Sequence, residues 1–270
     1  MKKFLTVILT IILTTACVFA GCSNKGVFEG NYIEVSEEKF KEYAGKIQES
    51  ETSVDYENGY RLAMNGNWKK NLNEKETSDV YYVEYFIKRV NNELLMQGNE
   101  FKEYNNEYGY GGIERQKLFY KDKTLFSNWD GFRYDDHGYG KKEMGEDKLV
   151  KELGAFLSIN IKGVYMNTRG EDVKYYICET KDNVKLKLEV TMKDSDVGDN
   201  TATLITNCVF DNNGQIIAVS LSASSLSKKE NLSFDVTIVP WNGKFDFPSA
   251  LEKAVYGESI RFFSSSPFLD

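Results

Sequence analysis

The 270-residue chain carries 41 Asp and Glu against 34 Lys and Arg, a net charge of −7 at neutral pH. An acidic protein repels nucleic acid and anionic lipid head groups, so neither is an expected electrostatic partner, and the lysine pairs Lys69-Lys70, Lys141-Lys142 and Lys228-Lys229 are isolated doublets. Four cysteines are too few for a disulfide-held scaffold, so a packed core must hold the fold.

Lys2 and Lys3 precede an uncharged run from Phe4 to Phe19, the charged start and short apolar stretch that the export machinery reads. The run is short for a spanning helix, which needs ~20 apolar residues. It ends in Phe19-Ala20-Gly21-Cys22. That ending resembles the lipobox of bacterial lipoproteins, in which the cysteine is acylated with palmitate-type chains and becomes the new N-terminus. Phe19 stands where the pattern usually has leucine, and Cys17, the competing cysteine, lacks the Ala-Gly flank. The resemblance implies a signal peptide over residues 1–21, lipid attachment at Cys22, and an anchored protein on the extracytoplasmic face of the cell membrane. Two or three acyl chains anchor stably, at ~0.8 kcal/mol per buried CH₂. Loss of Lys2 and Lys3 takes Lys plus Arg from 34 to 32 against 41 acids, moving the net charge from −7 to −9.

Residues 22–35 are read as a tether and 36–270 as one folded domain, because no long linker or change of composition divides them. Ser36 is placed to cap a helix with Glu37 and Glu38 in its first turn, Val35 and Phe40 closing a hydrophobic staple. Phe40, Ala44 and Ile47 give that helix one apolar side, with an end expected near Ser50.

Strands follow. Val184, Leu186, Leu188, Val190 and Met192 alternate with Lys185, Lys187, Glu189 and Thr191; Leu232, Phe234, Val236 and Ile238 alternate with Ser233, Asp235 and Thr237. Period-two alternation predicts antiparallel strands with one face buried and the other wet. Long strands are also expected over 81–90, 94–104 and 201–210. Asn91-Asn92, Lys121-Asp122-Lys123, Asp130-Gly131, Asp182-Asn183, Asn212-Asn213-Gly214 and Asn242-Gly243 read as tight turns. Together they predict a meander of roughly ten strands. A helix over 147–158 interrupts it, with Leu149, Val150, Leu153, Phe156 and Leu157 on one face, and a last helix is expected at Pro248, capped by Ser249 with Glu252. So wide a sheet must curl. The predicted class is therefore α+β, mostly antiparallel β: a curled meander, or incomplete barrel, enclosing two or three helices.

This layout resembles the LolA/LppX-like lipoprotein and lipid carriers, a half-barrel of antiparallel strands plugged by helices. The stretch that carries the likeness is C-terminal: a hairpin over Cys208-Val209-Phe210-Asp211-Asn212-Asn213-Gly214-Gln215-Ile216-Ile217, a strand over 232–240, and the close at Phe247-Pro248-Ser249. The resemblance implies a non-enzymatic carrier whose sheet–helix cavity shelters lipid or acyl chains. Candidate lining residues are Phe40, Ile47, Leu153, Phe156, Leu157, Leu186, Leu188, Val190, Phe234, Val236 and Ile238, which equally suit a filled core. Some relatives are sensors, so an envelope protein partner bound to a filled barrel is the alternative.

Catalytic constellations are sparse. His137, the single histidine, lies in Tyr134-Asp135-Asp136-His137-Gly138, read as a solvated turn. Asp194 to Asn200 fails as an EF-hand, because its twelfth position is Ile205 where a bidentate Glu is needed. No metal and no cofactor are expected. The tyrosines of 104–112 either stack on a sugar or lipid mouth or lie back over the sheet edge. Cys178 and Cys208 are a candidate disulfide if their Cα atoms come within ~7 Å, and otherwise small apolar residues.

Overall fold

A computed structural model describes residues 25–48, 57–72, 75–105, 108, 111–131, 139–157, 161–168, 172–193, 201–226, 230–257 and 260. Contacts divide the chain between Asn31 and Tyr32. Before that point Lys25–Phe28 forms one helical turn. From Tyr32 onward the protein is α+β and mostly antiparallel β, built on one large curled sheet.

The described strands are β1 (Ile33–Val35), β2 (Tyr60–Leu72), β3 (Lys75–Val90), β4 (Glu93–Asn105), β5 (Gly111–Lys121), β6 (Thr124–Gly131), β7 (Gly140–Glu143), β8 (Asp172–Glu179), β9 (Asn183–Lys193), β10 (Thr201–Asp211), β11 (Ile216–Leu226), β12 (Glu230–Pro240) and β13 (Val255–Tyr256). The helices are α1 (Glu37–Ala44), α2 (Glu146–Leu157) and α3 (Ile161–Asn167), with a 3₁₀ turn at Ser249–Lys253. Spatial order is β1-β8-β9-β10-β11-β12-β2-β3-β4-β5-β6-β7-β13.

Thirteen strands among the described residues replace the ten expected, and the single meander becomes two. The runs β2–β7 and β8–β12 lie side by side, joined where β12 pairs antiparallel with β2, Glu230 opposite Lys70 and Pro240 opposite Tyr60. Turn chemistry reports only neighbours in sequence, so it cannot reveal a pairing between strands so far apart in the chain. It serves well within each run. Asn91 and Asn92 take φ of 51° and 64°, and Asp122 and Lys123 take 51° and 53°, the left-handed pair of a two-residue hairpin whose twist matches the flanking strands. Asn242-Gly243 makes no hairpin, since the chain there leaves the sheet.

The predicted alternation of facing holds from Leu186 to Val190. Lys185, expected on the wet face, is 7% exposed, because its neighbours Cys178 and Val209 bury that end of the opposite face as well. Leu186 and Leu188 are fully buried and Val190 nearly so, while Lys187 and Glu189 on the other face remain half-exposed. Cross-strand partners share a face, so the registers extend this parity across the sheet and define a helix-packed face. On it, Phe40, Tyr43, Ala44 and Ile47 from the α1 region, with Ile161 and Tyr165 of α3, pack on Tyr175, Ile177, Leu186, Leu188, Val190, Cys208 and Phe210. Leu149 and Leu153 of α2 pack on Leu62, Met64, Val83, Ile87, Met96, Leu118, Leu125, Val236 and Ile238.

Ser36 caps α1 as expected, its Oγ accepting from Lys39 N at 3.3 Å. The helix stops at Ala44 rather than near Ser50. Lys46 N and Ile47 N turn back to Tyr43 O and Ala44 O, tightening the end and still burying Ile47. The helix α3 was not predicted; it is short, and its apolar residues span two turns only. Ser249 is no cap: it begins a 3₁₀ turn that Pro248 precedes, with no side-chain cap bond. Ile33–Val35, read as tether, is an edge strand paired with β8.

After β12 the chain crosses the opposite face as a strap. The ring of Trp241 lies 5.0 Å from Phe86 of β3 and 5.0 Å from Phe245, and Phe245 stacks on Phe247 at 5.6 Å. Asp246 N donates to Gln97 Oε1 of β4 at 3.1 Å, and Phe247 meets Phe119 of β5 at 6.0 Å. Leu251 and Ala254 then bury Phe126 of β6, and β13 adds in parallel to β7.

The candidate disulfide is absent. Cys178 and Cys208 are both free and buried. Cys178 pairs with Lys185 and Cys208 with Leu186, so β9 separates them and they point to opposite faces. Two inter-strand steps put their Cα atoms about 9–10 Å apart, beyond the reach of a bond.

Candidate functional site

Along β3, β4 and β5 the helix-packed face changes character from one end to the other. Register stacks its side chains into rows across the strands. The first rows, Ile87, Met96, Tyr120 and Leu125, then Leu62, Tyr85 and Leu118, are at most 1% exposed beneath α2.

The next row runs from Met64 and Val83, both apolar and buried, to a polar pair on β4 and β5. Glu100 is 2% exposed and Gln116 5% exposed. The Tyr85 hydroxyl donates to Glu100 Oε1, Gln116 Nε2 donates to Glu100 Oε2, and Ser127 Oγ donates to Gln116 Oε1 at 3.0 Å. A chain of side-chain hydrogen bonds thus runs across β3, β4, β5 and β6. It answers the cost of holding a carboxylate away from water, which is several kcal/mol when the group is left unpaired. Gly98 makes it possible. A Cβ there would stand 2.4 Å from the Tyr85 ring, so only glycine lets the phenol lie across β4 towards Glu100.

Two further rows continue outward. One is Tyr81, Lys102 and Glu114; the other is Trp68, Asp79, Tyr104 and Gly112. Tyr81 is buried and the rest of the side chains are half-exposed. The Lys102 ammonium sits 5.1 Å from the Tyr81 ring and 5.6 Å from the Tyr104 ring. Burial pulls the Lys102 pKa down, but the Tyr81 hydroxyl, Asp79 and Glu114 outweigh it and hold it above the ordinary lysine value. Burial raises the Asp79 carboxyl against the pull of Lys102. Tyr104 lies back over Gly112, where a Cβ would meet its ring at 2.6 Å. Tyr108 is 72% exposed.

The expected lining residues fall into two groups. Phe40, Ile47, Leu186, Leu188 and Val190 join the cluster under α1 and α3, and Leu153, Val236 and Ile238 join the cluster under α2. Phe156 and Leu157 lie on α2 and Phe234 on β12 opposite Gly66, but their side chains are outside the described residues. Cys22, Asp135, His137 and residues 194–200 also lie outside the described residues.

No family model matches this sequence, and no curated protein matches it. The rows on the helix-packed face therefore have to carry the functional argument themselves. Tyr85, Glu100, Gln116 and Lys102 were missed by sequence reasoning. A signal was present in β4, whose inward set runs Leu94, Met96, Gly98, Glu100, Lys102, Tyr104: its alternation persists while its content turns from apolar to charged.

Proposed function

We propose that this chain is an exported, lipid-anchored protein that binds an amphiphile without catalysing a reaction. The ligand's apolar part lies between sheet and helices and its polar end points towards Lys102. The observation that supports this most is the graded face just described: full apolar burial at Ile87, Met96 and Leu118, a hydrogen-bonded boundary at Glu100 and Gln116, then a half-exposed aromatic and charged end. An amphiphile has the same gradient. Membrane attachment through Cys22 belongs to the same proposal, as does the LolA-like reading of the sheet as an incomplete barrel enclosing the helices.

In this reading α2 is the cover that yields. Among the described residues, polar attachments lie at its N-terminal end and at Met144 just before it. Arg89 Nη1 meets Glu146 Oε2 at 3.3 Å, the Tyr120 hydroxyl donates to Met144 O at 3.0 Å, and Met144 N donates to Lys123 O at 2.9 Å. Its described apolar contact runs through Leu149, Leu153 and the partly buried Val150. An acyl chain replacing those leucines exchanges one apolar partner for another, so the sheet loses little. The ligand's own burial from water contributes ~25 cal/mol per Å². Native mass spectrometry of the chain purified from a bacterial host should show a bound mass that organic extraction removes. A bare chain that also fails to take up added amphiphile would refute the proposal.

The near-complete burial of both clusters favours a second reading, in which the barrel is filled and an envelope protein binds its surface. The same mass spectrum separates the two.

A further inference from the structure

The polar end of the helix-packed face has a chemistry specific enough to name the head group, given the amphiphile reading above. Its rows alternate rings with charged groups: Tyr81, Lys102 and Glu114, then Trp68, Asp79 and Tyr104. Gly66 beside Tyr81 and Gly112 beside Tyr104 carry no side chains that would rise above the rings. Next to them along the strands Glu100 and Gln116 are buried.

Count what these groups ask of a ligand. Asp79 and Glu114 only accept hydrogen bonds when ionised, and Lys102 and Lys70 only donate, while Glu100 already accepts from Tyr85 and Gln116. An anionic head could serve Lys102, or Lys70 whose ammonium lies 5.7 Å from the Trp68 ring, but would meet the carboxylates of Asp79 and Glu114. An ammonium head could serve the carboxylates but would meet the ammonium groups of Lys102 and Lys70 beside these rings. A hydroxyl both donates and accepts. Several hydroxyls on one small frame satisfy both sets at once, while the apolar C–H faces of that frame lie against Trp68 and Tyr104.

We propose that Trp68, Asp79, Tyr81, Lys102, Tyr104 and Glu114 form a site for an uncharged, hydroxyl-rich head group, of the kind a glycosyl or glyceryl amphiphile carries. Lys102 and the carboxylates fix its hydroxyls, and the rings select against flat or charged heads of equal chain length. The same chemistry is presented by a free sugar, and the attached chain is what tells the two apart.

The test uses the full chain and four probes by calorimetry below their micelle concentrations: dodecyl maltoside, dodecanoate, dodecyltrimethylammonium and free maltose. The maltoside should bind about tenfold more tightly than either charged dodecyl probe, and maltose alone more weakly still. Trp68→Ala and Tyr104→Ala should each remove most of that preference and leave dodecanoate binding unchanged, which a folding defect would not do. Equal affinity of the three dodecyl probes, or a preference untouched by both variants, would overturn the head-group assignment while leaving the amphiphile reading intact. Binding of no dodecyl probe would overturn that reading itself. Maltose binding as tightly as the maltoside would assign the site to a free sugar and remove the role of the chain.

Discussion

Replacing Leu188 by Ala tests the register on which both faces of the sheet depend. Leu188 is 0% exposed on β9, between Tyr175 of β8 and Thr206 of β10, in the cluster that includes Phe40 and Tyr165. The substitution removes three carbons, about 2.4 kcal/mol of transfer free energy at ~0.8 kcal/mol per buried group. Strands on one side and helices on the other hamper collapse into the space, so a cavity term adds to it. The expected total is about 3–5 kcal/mol. Lys187, one residue away, faces the other side and is half-exposed; its change to Ala should cost under about 1 kcal/mol. With a urea slope near ~3 kcal/mol per molar for a chain of this length, the Leu188 variant's midpoint should fall by roughly 1 M or more. Similar losses for Leu188→Ala and Lys187→Ala would mean that β9 is shifted by one residue, and the division into two faces would fall with it.

The remaining predictions concern single groups. Tyr85→Phe takes away a donor to the buried Glu100 carboxylate and should cost about 1.5–3 kcal/mol in the same melts; a loss below ~0.5 kcal/mol would deny that the bond matters. Burial raises the Asp79 pKa, so the folded state holds that proton more tightly than the unfolded chain and stability is lost as pH rises through the carboxylate range. Asp79→Asn should therefore be slightly more stable at pH 7, by a margin that vanishes near pH 3, and a variant less stable at pH 7 would reverse the sign. Burial drives the Cys208 thiol far above its ordinary pKa, so it should resist alkylation at pH 8 in the folded protein. After unfolding without reductant both Cys178 and Cys208 should react, and a mass two hydrogens light with no alkylation would show a disulfide. Cys22→Ala should abolish labelling by a fatty-acid probe while Cys17→Ala leaves it intact; the opposite pattern would move the lipid anchor.

What the sequence made legible was local. The alternation of Val184 to Met192 fixed the buried face of β9, the paired turn residues Asn91-Asn92 fixed a hairpin, and Ser36 fixed a helix start. Each is a property of a few consecutive residues. The pairing of β12 with β2 was not legible, because no local signal reports which distant edge a strand meets. The strap was misread for a related reason: Trp241, Phe245 and Phe247 have neither helical nor strand periodicity, and their order comes from contacts with Phe86 and Phe119. The Glu100 site was hidden by composition. In a chain with 41 acids no single carboxylate stands out; parity along β4 puts Glu100 on the face of Met96, but only the register joins it to Gln116 and Leu118 of β5. The Ser249 motif shows the converse error, since a Ser-x-x-Glu pattern formed no cap once Pro248 directed the chain into a 3₁₀ turn.

The central claim is that an amphiphile lies on the helix-packed face, and photocrosslinking tests it most directly. An uncharged lipid with a diazirine near the end of its acyl chain would be mixed with the chain, irradiated and mapped by peptide mass spectrometry. The account predicts saturable adducts on the apolar rows, at Leu62–Met64, Val83–Ile87 or Leu149–Leu153, all competed away by unlabelled lipid. Adducts confined to the strap face around Trp241 and Phe247, or scattered without competition, would contradict it.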